Sequence, residues 1–325
     1  MTQPADFSVD QVLPLLRQAR NRIEELQQAV NEPIAVIGFS GRFPGANDKD
    51  ALWELLKSGQ SGLRAVSEVE LAEAGVPKAI SDEENYVRVW GGFDQADGFD
   101  AGFFGYSPRE AELLDPQQRA FLECAWAAME DAGYDSDRVP GPVGVYAGAA
   151  LNGYLTNIEG GAGQVDPFHV AMGNLNGMVA ARSSFHLDLK GPSIGVQTTC
   201  SSGLVAVHHA MRALRQGECD MALAGAVAIN QARPAGYMYQ SEGIAAPDGL
   251  CRPFDAQAQG TIFTNGVGAL VLKRLSRAQA DADTIHGVLL GSAVNNDGAD
   301  KISLTAPSVS GQTEALRAAL RAANV

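Results

Sequence analysis

Four segments of this chain are near-continuously apolar: Ile34-Ala35-Val36-Ile37, Gly141 to Ala149, Asp220 to Ile229 and Gly266 to Leu275. Between them, apolar residues recur at three- and four-residue intervals, the spacing of helices with one buried face. A strand that is apolar at every position has both of its faces covered. Strands of that kind alternating with helices demand a sheet enclosed by helical layers, so the fold class is layered α/β.

The helices carry their own punctuation. Ser107-Pro108-Arg109-Glu110 is a capping box with proline at the first helical position, and Asp115-Pro116 repeats the start signal. Phe121, Leu122, Ala125, Trp126 and Met129 then mark the buried face of a long helix that Gly133 stops. Further helices are expected over Ala51 to Ser58, Gly173 to Leu187 and Ser310 to Ala323, with a last strand near His286 to Val294. The stretch from Ser61 to Gly92 reads as irregular surface. The glycine-rich Gly38-Phe39-Ser40-Gly41-Arg42-Phe43-Pro44-Gly45 fits neither phosphate-loop spacing and reads as a structural turn.

Residues 8–31 stand apart. Val12, Leu16, Ala19, Ile23, Leu26 and Val30 alternate four- and three-residue spacings, the seam of a short coiled coil. From Pro14 to Val30 such a helix extends about 25 Å, which is marginal without a partner. It could fold back on its own domain or serve as a dimer seam or docking helix, and the narrow stripe favours the second.

A formal net charge of -14 argues against binding nucleic acid or an anionic membrane, both of which need a basic face. The first residues lack the pattern of a signal peptide and no apolar run is long enough to span a bilayer, so a cytoplasmic location is expected. The four cysteines, Cys124, Cys200, Cys219 and Cys251, fall in no metal-binding spacing, and no metal site is expected. Three of them read as small buried hydrophobes.

Cys200 differs. From Gly191 the chain reads as a short apolar strand, then a tight Thr198-Thr199-Cys200-Ser201-Ser202-Gly203 turn, then an apolar helix ending at Gly217. A cysteine just before a helix faces unpaired N–H groups and the positive end of the helix dipole, which favour the thiolate and can stabilise an oxyanion. Local sequence leaves two readings open: a nucleophile, and a packed structural thiol.

Val196-Gln197-Thr198-Thr199-Cys200-Ser201-Ser202-Gly203-Leu204-Val205-Ala206 resembles the active-site motif of β-ketoacyl synthase (ketosynthase) domains of modular type I polyketide synthases. Ile34-Ala35-Val36-Ile37-Gly38 with Arg42-Phe43-Pro44-Gly45 is similar to that family's opening signature. Phe103 to Glu110 with Asp115-Pro116-Gln117-Gln118-Arg119 is similar to its second, and Arg252 to Ala256 with Gly266 to Leu275 to its third. Thr199 stands where alanine is commoner in the family, and Gly203 where serine or threonine is.

The resemblance implies a thiolase-like αβαβα fold, normally a homodimer. It divides the chain into a docking helix (1–32), a complete nucleophile-bearing half (33–280) and the start of a second half (281–325). It implies that Cys200 takes an acyl chain from the phosphopantetheine of an acyl carrier protein, with no cofactor bound directly, and that decarboxylative condensation follows. Condensation in this family uses two histidines in motifs that none of His169, His186, His208, His209 and His286 matches. The expectation is therefore a chain that needs more polypeptide, through truncation or as one part of a split synthase, with an upstream subunit docking on residues 8–31. The alternative function is a non-condensing acyl-loading or docking subunit. Phe263 and Met172 are candidate pocket residues.

Overall fold

The computed structural model describes residues 13–21, 31–135, 139, 141–154, 166–230, 233–303 and 306–325. Its centre is a six-stranded sheet built from β1 (Ile34–Arg42), β2 (Val143–Ala149), β3 (Ser193–Gly195), β4 (Met221–Ala228), β5 (Gly266–Arg274) and β6 (Gly287–Leu289). The strand order is β6-β1-β5-β4-β2-β3. β3, β2 and β4 run parallel, β5 is antiparallel to both β4 and β1, and β6 pairs antiparallel with the start of β1.

Helices cover both faces, as the unbroken apolar strands require. On one face lie α1 (Pro116–Asp131) and α2 (Met178–His186), and on the other α3 (Ser202–Gln216). Alternate residues of each strand serve the two cores. Met221, Leu223 and Val227 of β4 join Phe121, Ala125 and Val179 on the first face. Ala222 and Ala224 join Val205, Met211 and Leu214 on the second. The start signals hold: Ser107 and Glu110 form the capping box of the short helix Pro108–Leu113, and Asp115 caps α1. Gly217, at φ 74°, closes α3 in the left-handed conformation that glycine favours.

Several sequence expectations change. The turn expected from Gly38 to Gly45 is instead strand as far as Arg42. Gly38 is needed there because a Cβ would lie 2.6 Å from the Ala128 carbonyl oxygen of α1. The helix expected from Gly173 to Leu187 is two helices, Pro167–Asn174 and α2, parted at Leu175. Residues 61–92 hold the short helices Glu68–Glu73 and Lys78–Ser81 and a small core of Val66, Leu71 and Trp90. The strand before Cys200, expected to be short and apolar, is Ser193–Gly195 and lies at the sheet edge with all three residues exposed.

β6 and the final helix α4 (Val309–Ala323) sit at the opposite edge. α4 has no buried residue, and Val309, Leu316 and Leu320 are exposed along it. Of the N-terminal seam, residues 13–21 are helical, with Leu13, Leu15 and Leu16 exposed. Residues 8–12 and 22–30, which carry the rest of the proposed coiled coil, lie outside the described residues.

One buried cation ties the sheet to its connections. Lys273 of β5 is 2% exposed and reaches Asp281 at 2.6 Å, Asp283 at 2.8 Å and the Tyr134 hydroxyl at 2.6 Å. Burial alone would lower the ammonium pKa, but these partners outweigh it and hold Lys273 above the ordinary lysine value.

Candidate active site

The site is built where the parallel strands end. Beyond β3 the chain stays beside β2, with Val196 N–H donating to the Ala147 carbonyl at 2.8 Å and Gln197 Nε2 to that of Ala149 at 3.0 Å. It then reverses through Thr198 and Thr199 into a single 3-10 turn, Thr199–Ser201, that leads into α3. Thr199 has φ 55°, a left-handed conformation that costs a β-branched residue about 1–2 kcal/mol. Small residues let this turn lie on the sheet. A Cβ on Gly148 of β2 would fall 2.6 Å from the Cβ of Ser202, and one on Gly203 would fall 3.2 Å from the Cβ of Ala226 of β4.

Cys200 is exposed at the centre of this turn, immediately before the first turn of α3. Cys124 and Cys219 are buried, and burial pushes both thiols up to about 11. Cys251, expected to be buried, is exposed, with its sulfur 3.8 Å from the Thr261 hydroxyl.

Beneath the strand ends lies a polar platform, formed by the segment that the sequence showed as a helix start and as part of the family's second signature. Gln117 Oε1 accepts from Ala150 N–H at 3.1 Å and Ile229 N–H at 3.4 Å, stitching the ends of β2 and β4 together. Its Nε2 donates to Asp115 at 3.1 Å, and burial raises the Asp115 carboxyl above the ordinary range against that bond. Gln118 Oε1 accepts from Arg182 Nε at 2.6 Å, and Arg182 also donates to the Tyr106 hydroxyl at 2.7 Å and the Met172 carbonyl at 3.0 Å. Gln117, Gln118 and Arg119 are all buried. Three consecutive buried positions break helical periodicity, which happens when a helix start is enclosed on every side. The clue in the sequence was an uninterrupted polar run directly after a helix cap.

Two cavities open on this side of the sheet. One of ≈ 450 Å³ is lined by Trp90, Tyr237, Met238, Phe263, Asn230 and Asn265, among others. The second, of ≈ 610 Å³, shares Asn230 and Ala235 with the first and reaches Asp115 and Tyr154. Asn230 follows β4, so both lie beyond the carboxyl ends of the parallel strands, where α/β sheets place ligands. Phe263 is thus a lining residue, whereas Met172 belongs to the Arg182 network.

The histidines are engaged elsewhere. His208 Nδ1 lies 2.8 Å from the Ser292 hydroxyl, with His209 exposed beside it. His286 Nε2 lies 3.4 Å from Asp131, His169 Nδ1 2.9 Å from Asp166, and the His186 ring 4.7 Å from that of Tyr106. Among the described residues no group of three or more His, Cys, Asp or Glu is placed to hold a metal ion, and no helix is long and apolar enough to cross a membrane.

The model of the beta-ketoacyl synthase N-terminal domain matches residues 31–278, and that of the C-terminal domain matches residues 286–325. The chain belongs to the beta-ketoacyl synthase family. Among relatives of this ketosynthase chain, a phenolphthiocerol/phthiocerol polyketide synthase polypeptide of Mycobacterium tuberculosis is 44% identical over 293 residues, covering 87% of this chain and 20% of that protein. Polyketide synthase GfsA of Streptomyces halstedii is 43% identical over 312 residues, covering 94% of this chain and 4% of its own length. Ketosynthase twelve from the bacillaene polyketide synthase of Bacillus amyloliquefaciens superposes with a TM-score of 0.84 at 35% identity, covering 91% of this chain and 52% of that one. The layered α/β fold is therefore thiolase-like. This ketosynthase chain spans about half the length of the solved ketosynthase and a fifth or less of the two curated relatives.

Proposed function

We propose that this chain is the nucleophile-bearing part of a polyketide synthase ketosynthase, and that Cys200 is its acyl acceptor. The Cys200 thiolate attacks the carbonyl carbon of an acyl group carried on the phosphopantetheine sulfur of an acyl carrier protein. The carbonyl becomes an oxyanion beside the first-turn N–H groups of α3. The bond to the phosphopantetheine sulfur then breaks, the acyl group remains on Cys200, and the departing sulfur takes up the proton that Cys200 gave up. No cofactor is bound directly, because phosphopantetheine arrives with the substrate. The Phe263 cavity is the candidate lodging for the acyl chain.

The observation that carries this reading is the exposure of Cys200 at the start of α3, above the ends of β2 and β4, in a chain of this family. Decarboxylative condensation onto the acyl-cysteine would complete chain elongation, using histidines supplied by residues other than the five here. Residues 33–280 then form the nucleophile half and 281–325 begin the second, in a cytoplasmic enzyme. Residues 8–31 would dock an upstream subunit, and the edge strand β3 would form the homodimer seam. A second polypeptide carrying the rest of the ketosynthase is the split-synthase form of the same reading.

Incubation with an acyl thioester followed by intact-mass measurement tests the central step. One acyl adduct is expected on the wild type and none on Cys200→Ala. A folded wild type that gains no acyl mass would refute acyl acceptance and favour the alternative of a docking subunit.

A further inference from the structure

The reversal that delivers Cys200 is confined to two residues. Thr198 has φ -132° and ψ 34°, and Thr199 has φ 55°. A β-branched residue resists the left-handed region, so the turn persists only where its surroundings hold it. Three hydroxyls reach this pair. Those of Thr199 and Ser201 both donate to the Thr198 carbonyl at 2.8 Å, which lies in the middle of the pair, and both side chains are exposed to competing water.

Ser202 is different in both respects. Its Oγ accepts from Thr198 N–H at 2.9 Å and donates to the Thr199 carbonyl at 2.7 Å. These groups are the two ends of the pair, so one hydroxyl closes a ring around every rotatable backbone bond of the reversal. Ser202 is 5% exposed, and the missing side chain of Gly148 is what lets it lie against β2. The same residue is the first of α3, so the clamp also fixes Cys200 relative to the helix N–H groups.

We propose that Ser202 is a positioning residue for Cys200: its buried hydroxyl holds Thr199 in the left-handed turn that sets the nucleophile at the start of α3. This rests on the reading of Cys200 as acyl acceptor. Small errors of position in a reacting group cost large factors in rate, on the order of a hundredfold for 1 Å. Loss of the clamp therefore acts on the acylation step at saturating thioester more than on apparent thioester affinity.

The test measures single-turnover acylation of the full chain by hexanoyl-N-acetylcysteamine, read by intact mass, for wild type, Cys200→Ala, Ser202→Ala, Thr199→Asn and the double variant Ser202→Ala/Thr199→Asn. Asparagine adopts the left-handed conformation more readily than threonine, so it substitutes for the clamp without restoring the hydroxyl. Ser202→Ala is expected to slow saturating acylation about tenfold or more, and the double variant to recover to within about threefold of wild type. Ser202→Ala reacting at the wild-type rate overturns the proposal. So does a double variant no faster than Ser202→Ala, because a general packing loss would not be repaired at Thr199. If Ser202→Ala does not fold, the double variant decides: a folded double variant acylated within about threefold of wild type supports the proposal, and one that also fails to fold or is acylated about tenfold more slowly overturns it. A wild type that takes no acyl group removes the underlying reading of Cys200 instead, an outcome visible before any variant is compared.

Discussion

At the scale of single residues, the cysteines separate by environment. Cys124 and Cys219 are sealed in the two cores and their thiols are raised to about 11, whereas Cys200 and Cys251 are exposed. Between their ordinary value of 9.0 and about 11, the folded chain keeps the protons of Cys124 and Cys219 while the unfolded chain releases them. Their contribution to stability is thus complete below pH 9 and is lost as pH rises through 11. Denaturant unfolding of wild type and Cys124→Ala across that range should show the steeper loss in wild type, and parallel curves would contradict the assignment. That Cys200 sits at a strand-to-helix junction was legible in the sequence, and its exposure there fits the proposed role as acyl acceptor. The exposure of Cys251 was not, since nothing in Leu250-Cys251-Arg252 distinguishes a covered thiol from an open one.

At the scale of elements, α3 and α4 have the same length and similar amphipathic patterns but opposite fates. α3 buries Val205, Ala206, Ala210, Met211 and Leu214 against β2 and β4, whereas α4 buries nothing. Leu214→Ala should therefore cost this chain about 2–5 kcal/mol. Leu316→Lys with Leu320→Lys should change its stability by no more than about 0.5 kcal/mol. Chemical denaturation of the purified chain checks both, and a large loss from the α4 pair would mean that this face is already covered. The sequence showed that both segments are helices, because helical signals are local. Whether a stripe has anything to pack on depends on distant residues. For the same reason the parted helices at Leu175 were unreadable: the Asn174 side chain turns to the carbonyls of Leu113 and Val170, and only one of those lies on its own helix.

At the scale of the molecule, the two edges of the sheet differ. β3 leaves Ser193, Ile194 and Gly195 exposed, an open edge of the kind proteins cover by pairing. As the proposed homodimer seam it predicts that Ile194→Asp converts a dimer to a monomer in sedimentation measurements while acylation chemistry at Cys200 is retained in kind. An unchanged dimer would place the seam elsewhere. The docking role of residues 8–31 makes a separate prediction: Ile23→Asp abolishes association with an upstream subunit, and unaltered affinity would refute it.

The sequence by itself determined the apolar central strands, where α1 begins, where α1 and α3 end, and which cysteine sits at a strand-to-helix junction. Caps, glycine stops and apolar periodicity act between neighbours and can be read from neighbours. Only the tertiary structure decided that β5 runs antiparallel between β1 and β4, that Gly38 lies under a helix instead of in a turn, and that Gln117 joins two strand ends. It also decided that the Ser202 hydroxyl closes the turn at Thr198 and Thr199. Strand direction, close approach and hydrogen bonding in a buried site are set by residues far apart in the chain, and the folded molecule is what brings them together.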